Sequence, residues 1–187
     1  MSSLFIFFEE SSPITLFTLV WLSFYFVVTL WIFFYKYFSI SSMCKDEQES
    51  LDAILQGQQR FPKDALFFNT EHGLKPGIFS IWKSKTIKEA STGLSFLSII
   101  ASTSPFIGLF GTVVEILDAF GRLGSTGQIS FDVIAPVISK ALIATAAGIL
   151  TAIPAYTFFL SLKRKVYDLG VYVQMQIDYI VVPHSFR

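Results

Sequence analysis

Three uncharged apolar stretches constrain this 187-residue chain more than any other feature. They are Ile14–Tyr35 ("ITLFTLVWLSFYFVVTLWIFFY"), Ala90–Val114 and Ala141–Leu162, the third with a possible start as early as Val133. A hydrocarbon core roughly 30 Å thick is crossed by about 20 apolar helical residues. Backbone N–H and C=O groups have no water to bond in lipid, so runs of this length satisfy them internally as helix. The expected fold is an all-α integral membrane protein with three transmembrane helices. Composition agrees: the chain is 52% hydrophobic and contains 21 Phe.

The first run does not read as a removable leader. The residues before it carry Glu9 and Glu10 rather than Lys or Arg, and the run exceeds the roughly 7–15 residues of a signal core. It is expected to be retained.

The formal net charge is zero, yet the charges are sorted. Eight Lys and Arg (36, 45, 60, 63, 75, 83, 85 and 88) lie between the first and second runs, and Lys163, Arg164, Lys165 and Arg187 follow the third. Excess Lys and Arg in short loops marks the cytoplasmic side. The expected organisation is a periplasmic N-terminus (1–13), a first span (14–35), a helical cytoplasmic segment (36–89), a second span (90–120), a periplasmic loop (121–130), a third span (131–162) and a cytoplasmic tail (163–187). Pro13 suits a first helical position. "CKDEQESLDAILQ" reads as helix, "HGLKPG" at 72–77 as a turn, and "GRLGSTGQ" at 121–128 as loop. Helix is expected to resume near Ile81 and run unbroken into the second span. In the tail a helix is expected to continue from the third span and stop before Pro183.

Cys44 is the single cysteine, which excludes an internal disulfide. His72 and His184 lack ligand spacing, so no metal site is expected. No nucleophile elbow, phosphate-binding loop or zinc-protease motif is present, and nothing in the residues points to an enzyme or to nucleic acid.

Within the second run, Gly108 and Gly111 lie about one turn apart, Pro105 interrupts one helix hydrogen bond, and Thr112 sits deep in the apolar stretch. In the third, Ala141, Thr145, Gly148, Ala152 and Ala155 fall on one stripe, with Pro154 beside it. Two readings fit. Small residues let helices approach closely, and the threonines then bond their own backbones. Alternatively, the threonine hydroxyls line an inner wall where they donate and accept protons without bearing charge.

These residues also carry a family likeness. "SPFIGLFGTVVEILDAF" (104–120) followed by "ISKALIATAAGILTAIPA" (138–155) resembles the second and third transmembrane helices of the ExbB/TolQ/MotA proton-channel family, most closely its ExbB/TolQ branch. The resemblance implies a ring-like homo-oligomer, a pentamer in the best-known members, whose second and third helices line a pore. An ExbD- or TolR-like single-span partner dimer would occupy that pore, and a TonB- or TolA-like protein would carry the work to the outer membrane. It implies that Thr112 and Thr145 line the proton path, that Gly108, Gly111, Gly148, Pro105 and Pro154 shape helix packing, and that protons are the transported ion, with no cofactor. A MotA-type stator fits less well, because such proteins have four spans and a larger cytoplasmic domain.

Two positions depart from the family pattern. Lys140 stands where relatives commonly carry a glutamate, and Glu115 where they commonly carry a glycine. The second and third spans run in opposite directions. Glu115 is three residues outward of Thr112 and Lys140 five outward of Thr145, or about 4.5 and 7.5 Å of rise. The two charges are therefore expected at similar depth. They form a candidate intramembrane pair, the acid having moved from one helix to the other. The competing reading is that Lys140 reaches the outer headgroups. The function expected is the channel-forming subunit of a proton-driven inner-membrane motor, ExbB-like. The rivals are a TolQ-like role in envelope maintenance and a non-conducting membrane scaffold.

Overall fold

A computed structural model describes residues 13–56, 76–126 and 131–181. Four helices account for nearly all of them: α1 (Pro13–Leu55), α2 (Pro76–Ser91), α3 (Leu94–Thr126) and α4 (Phe131–Val181). Three are long and apolar enough to cross a membrane, within Pro13–Leu55, Leu94–Gly121 and Ile134–Tyr179. Helices of 43 and 51 residues, α1 and α4, are about 65 and 77 Å long at 1.5 Å per residue. Both far exceed a bilayer core.

The helices contribute to two compact units. The first comprises residues up to Ile32 and Phe96–Phe158; the second comprises Phe33–Ser95 and the residues from Phe159 onward. The first unit is patterned inside out relative to a water-soluble bundle. The inner face of α1 presents Thr15, Thr18, Leu22 and Thr29, all buried, while Phe17, Val20, Phe24, Val27 and Trp31 are each at least 60% exposed. Their three- and four-residue spacing makes one outward stripe. Hydroxyls inside and large apolar groups outside suit a solvent made of hydrocarbon, where close approach between helices replaces the hydrophobic drive to associate. The molecule is a multi-pass membrane protein.

The second unit has a water-protein pattern. Ile40, Leu51, Ala53 and Ile54 of α1 are buried, as are Leu162, Val166, Leu169 and Val173 of α4, and Phe79 and Trp82 of α2 close a cluster with Val173 and Ile177. Polar contacts fix its register. Gln176, fully buried, donates through Nε2 to the Glu47 carbonyl and to Glu47 Oε2 at 2.9 and 2.8 Å. Lys165 donates to Ser41 Oγ at 3.3 Å and lies 4.4 Å from the centre of the Tyr37 ring. Cys44 donates its thiol proton to the Lys165 carbonyl.

The structure corrects three expectations. Helix does not run unbroken into the second span: α2 stops at Ser91 and α3 starts at Leu94. Gly93, with φ of +90°, is the reason. A residue in the left-handed region ends a helix, and glycine adopts it without a Cβ clash. The end is sealed by Thr92, whose N–H and hydroxyl both donate to the Lys88 carbonyl, and by Lys36 of α1, which donates to the Glu89 carbonyl at 3.2 Å. The second correction is at the far end, where Gly121–Thr126 belongs to α3 rather than to a loop. Each Gly costs a helix only about 1 kcal/mol, too little to stop one already 27 residues long. Third, α2 begins at Pro76, ahead of Ile81 and within the expected 72–77 turn, with proline again at a helix start. His72, His184 and Pro183 lie outside the described residues, while α4 reaches Val181 as one helix.

Candidate functional site in the α3–α4 crossing

The glycines of α3 and α4 determine how closely these helices meet. A Cβ built on Gly108 would lie 2.6 Å from the Ala144 carbonyl oxygen and 3.2 Å from Gly148 Cα. One on Gly148 would lie 2.7 Å from the Ser104 carbonyl oxygen. Both obstacles are backbone atoms, so neither can be turned aside by a rotamer change. Gly111 points to a different neighbour: its Cβ would meet Thr18 Oγ1 of α1 at 3.0 Å and Ala144 Cβ at 3.3 Å. The three membrane helices are thus wedged together at hydroxyl-bearing and small residues. Pro105 and Pro154 lie inside α3 and α4 without ending them. Each lacks the N–H that would serve the carbonyl four residues earlier, those of Ala101 and Leu150.

This close approach brings two hydroxyls into direct contact. Thr112 Oγ1 and Thr145 Oγ1 are hydrogen-bonded to each other across the helix pair. Thr112 is also within reach of its own helix at the Gly108 carbonyl (3.2 Å) and of the opposite helix at the Ala141 carbonyl (3.3 Å), and Thr145 reaches the Gly108 carbonyl at 3.4 Å. Each hydroxyl has one proton and two lone pairs. The pair therefore has two arrangements: Thr112 donates to Thr145, which donates to Gly108; or Thr145 donates to Thr112, which donates to Gly108 or Ala141. Reversing the chain moves hydroxyl protons between acceptors and leaves no net charge in the apolar surroundings. Thr112 is buried and Thr145 only partly covered, so the second hydroxyl is the more accessible end of the hydrogen-bonded pair.

The same contacts set the register of the charges. Gly108 lies beside residues 144, 145 and 148, and Thr112 beside 141 and 145. Continued outward by one turn of antiparallel helix, this register puts Glu115 level with about residue 140. Glu115 is only 7% exposed, on the same buried α3 stripe as Ser104, Gly108 and Thr112. Lys140, one residue before the buried Ala141, is intermediate in exposure. The structure thus brings the predicted residues Gly108, Gly111, Thr112, Thr145 and Gly148 into one contact region, and the same register continued by a turn puts Glu115 about level with Lys140.

Two participants escaped the sequence reading. Thr18 packs on Gly111, and Ser104, fully buried, donates to the Ile100 carbonyl at 2.6 Å while its own carbonyl faces Gly148. The available signal for Thr18 was the threonine spacing at 15, 18 and 29 in an otherwise large-residue run.

Comparison with known proteins gives this geometry its context. Residues 77–175, which cover α2, α3 and most of α4, match the model of the MotA/TolQ/ExbB proton channel family. The chain is similar to the biopolymer transport protein ExbB-like 1 of Helicobacter pylori, 54% identical over 182 residues, which is 95% of this chain and 96% of that protein. It is also similar over shorter stretches to ExbB of Neisseria gonorrhoeae (47% over 72 residues; 38% of this chain and 33% of that one). The Tol-Pal system protein TolQ of Haemophilus influenzae is 42% identical over 83 residues, 44% of this chain and 36% of that one. On the family match and the near full-length similarity, the chain belongs to the MotA/TolQ/ExbB proton channel family.

Proposed function

We propose that this chain is the channel-forming subunit of a proton-driven motor in the bacterial inner membrane, with an ExbB-like role in TonB-dependent uptake. In this reading copies assemble into a ring, a pentamer, in which α3 and α4 surround the single-span helices of an ExbD- or TolR-like partner dimer. A TonB-like protein passes the work onward. Protons are the transported ion, no cofactor takes part, and the chain makes and breaks no covalent bond of a substrate. The N-terminus is periplasmic and the C-terminus cytoplasmic, in keeping with the Lys and Arg between the first and second spans and after the third.

The observation that carries the channel reading is the Thr112–Thr145 hydroxyl contact around the Gly108 carbonyl, in a family of proton channels. Glu115 supplies the acid that relatives place on the other helix, and Lys140 pairs with it. A charge at depth in a bilayer costs several kcal/mol unless it finds a partner or water, and the matched depth of the two residues supports that pairing. The ExbB-like choice rests on similarity along nearly the whole of an ExbB-like relative. The TolQ match keeps a Tol-type role as the second reading.

The test is a deletion strain complemented with the wild-type chain or with Thr145→Val, with the partner co-expressed. The ExbB-like reading expects the deletion to abolish growth on a TonB-dependent nutrient while detergent resistance stays intact. The opposite pattern assigns a Tol-type role. Proton flux at the wild-type level through Thr145→Val would overturn the role of the hydroxyl pair in the proton path, and absence of flux through the partnered wild-type chain would overturn the channel reading and leave a non-conducting scaffold.

A further inference from the structure

The second unit carries an apolar groove of roughly 580 Å³ between α2 and α4. Ile87 of α2 and Val166, Val171 and Met175 of α4 form its walls. Its floor lies at Gly170, where a Cβ would meet Ile87 Cδ1 at 3.2 Å. Lys83 and Lys163 flank it, and among the described residues no carboxylate lines it. From Lys163 to Met175 the groove follows three turns of α4, about 18 Å, which suits a helical occupant.

The same unit presents a face of complementary charge. Along the part of α1 beyond Phe38, the exposed residues Ser42, Lys45, Glu49 and Asp52 recur every three or four positions, with exposed Asp46 beside them. Three carboxylates outnumber one lysine there. The opposite side of this helical segment buries Ile40, Leu51 and Ile54, so the acidic face is turned outward. Heights within the unit can be read from its hydrogen bonds. Lys83 donates to Gln174 at 2.7 Å, and Gln176, half a turn farther along, donates to Glu47. The Lys83 end of the groove is thus level with Asp46–Glu49 of α1. Copies in a closed ring sit at equal height, and a head-to-tail contact joins two different patches of the same chain.

We propose that the groove receives the α1 face of the adjacent copy, with Asp46 and Glu49 of one subunit meeting Lys83 of the next and the Phe38 end of that face meeting the Lys163 end of the groove. This rests on the ring reading and specifies its contact. A phospholipid is a poorer occupant: Lys163 could meet its headgroup, but the groove extends from there to Met175, past the end of the uncharged run at Leu162, where acyl chains would leave the hydrocarbon.

The test uses the full-length chain in native membranes with Cys44→Ser as background. Differently tagged Glu49→Cys and Lys83→Cys copies are co-expressed and oxidised, and a chain carrying both substitutions is oxidised separately. The expected result is a disulfide-linked dimer carrying both tags in the first case, a ladder of higher oligomers in the second, and no links in either single variant alone. Asp46→Cys serves as a second variant should Glu49→Cys accumulate poorly. Absence of mixed-tag links from a chain that native mass spectrometry shows to be oligomeric overturns the groove contact and leaves the ring standing, with lipid or another segment of the same chain as the occupant. A monomeric chain overturns the ring and the contact together.

Discussion

The Gly108→Ala substitution tests the α3–α4 crossing most directly. Its Cβ would sit 2.6 Å from the Ala144 carbonyl oxygen, where ordinary contact begins at 3.4 Å, and 3.1 and 3.2 Å from the Cα atoms of Thr145 and Gly148. The helices must therefore separate by about 0.8 Å. A gap of 0.5–1 Å forfeits about a quarter to a half of each van der Waals contact it opens, and the same separation stretches the Thr112–Thr145 hydrogen bond, worth about 1 kcal/mol. Overpacking of a tight contact costs about 1–3 kcal/mol. Together these predict a loss of about 2–4 kcal/mol. Gly121→Ala is the internal control: it lies in α3, nothing stands within 4 Å of its Cβ, and replacing a helical Gly by Ala gains up to about 1 kcal/mol. Both variants would be purified in detergent and their unfolding followed by circular dichroism under denaturant. Gly108→Ala is expected to shift the midpoint strongly downward and Gly121→Ala to leave it unchanged or raise it. Equal midpoints for the two variants would refute the close crossing.

Three further outcomes follow from the same geometry. Thr145→Val keeps the shape of the side chain but removes the proton donor, so stability should fall by only about 1 kcal/mol while proton flux through the partnered complex drops at least tenfold; Thr145→Ser should retain flux. For the charges at matching depth, Glu115→Gln and Lys140→Gln combined should cost less than the two singles added, with a coupling of about 1 kcal/mol or more by denaturation; strict additivity would remove the pairing. Gly93→Ala forces a Cβ onto a φ of +90° and should cost about 1–2 kcal/mol, read as a lower unfolding midpoint.

Much of the membrane part was legible because lipid imposes a simple rule: uncharged runs of sufficient length become helices, and the glycines and threonines at helical spacing identify the faces that meet. Gly108, Thr112, Thr145 and Gly148 declare themselves in this way. The ends of helices were harder. Gly93 lies within an apolar run where glycine is tolerated in helix, and the end its φ creates is capped in part from afar, by Lys36, 57 positions earlier in the chain, reaching the Glu89 carbonyl. The Gly121–Thr126 stretch misled in the other direction, because turn-forming composition did not outweigh the continuation of an established helix. That α1 runs on as one helix to Leu55 depends on its burying Ile40, Leu51 and Ile54, a tertiary fact. Thr18 was invisible as a partner of Gly111 for the same reason: nothing local says which helix a threonine faces.

Packing and chemistry at the crossing are one arrangement. The Gly108 carbonyl is reachable from both threonines only because Gly148, opposite, has no side chain to hold the helices apart. Remove that closeness and each threonine has only its own helix to bond, as Thr151 and Thr157 do with the carbonyls of Ala147 and Ile153. Those two show the default for a hydroxyl in an apolar helix, a bond to the carbonyl four residues back. Thr145 departs from it by turning to the neighbouring helix, and Thr112 by adding cross-helix contacts to its own bond. A bond to the residue's own helix would satisfy the hydroxyl equally well and would require no glycine. The glycines and the cross-helix hydroxyl pair therefore depend on one close approach of α3 and α4, and under the channel reading proposed above that approach lets hydroxyl protons change acceptors without moving a helix.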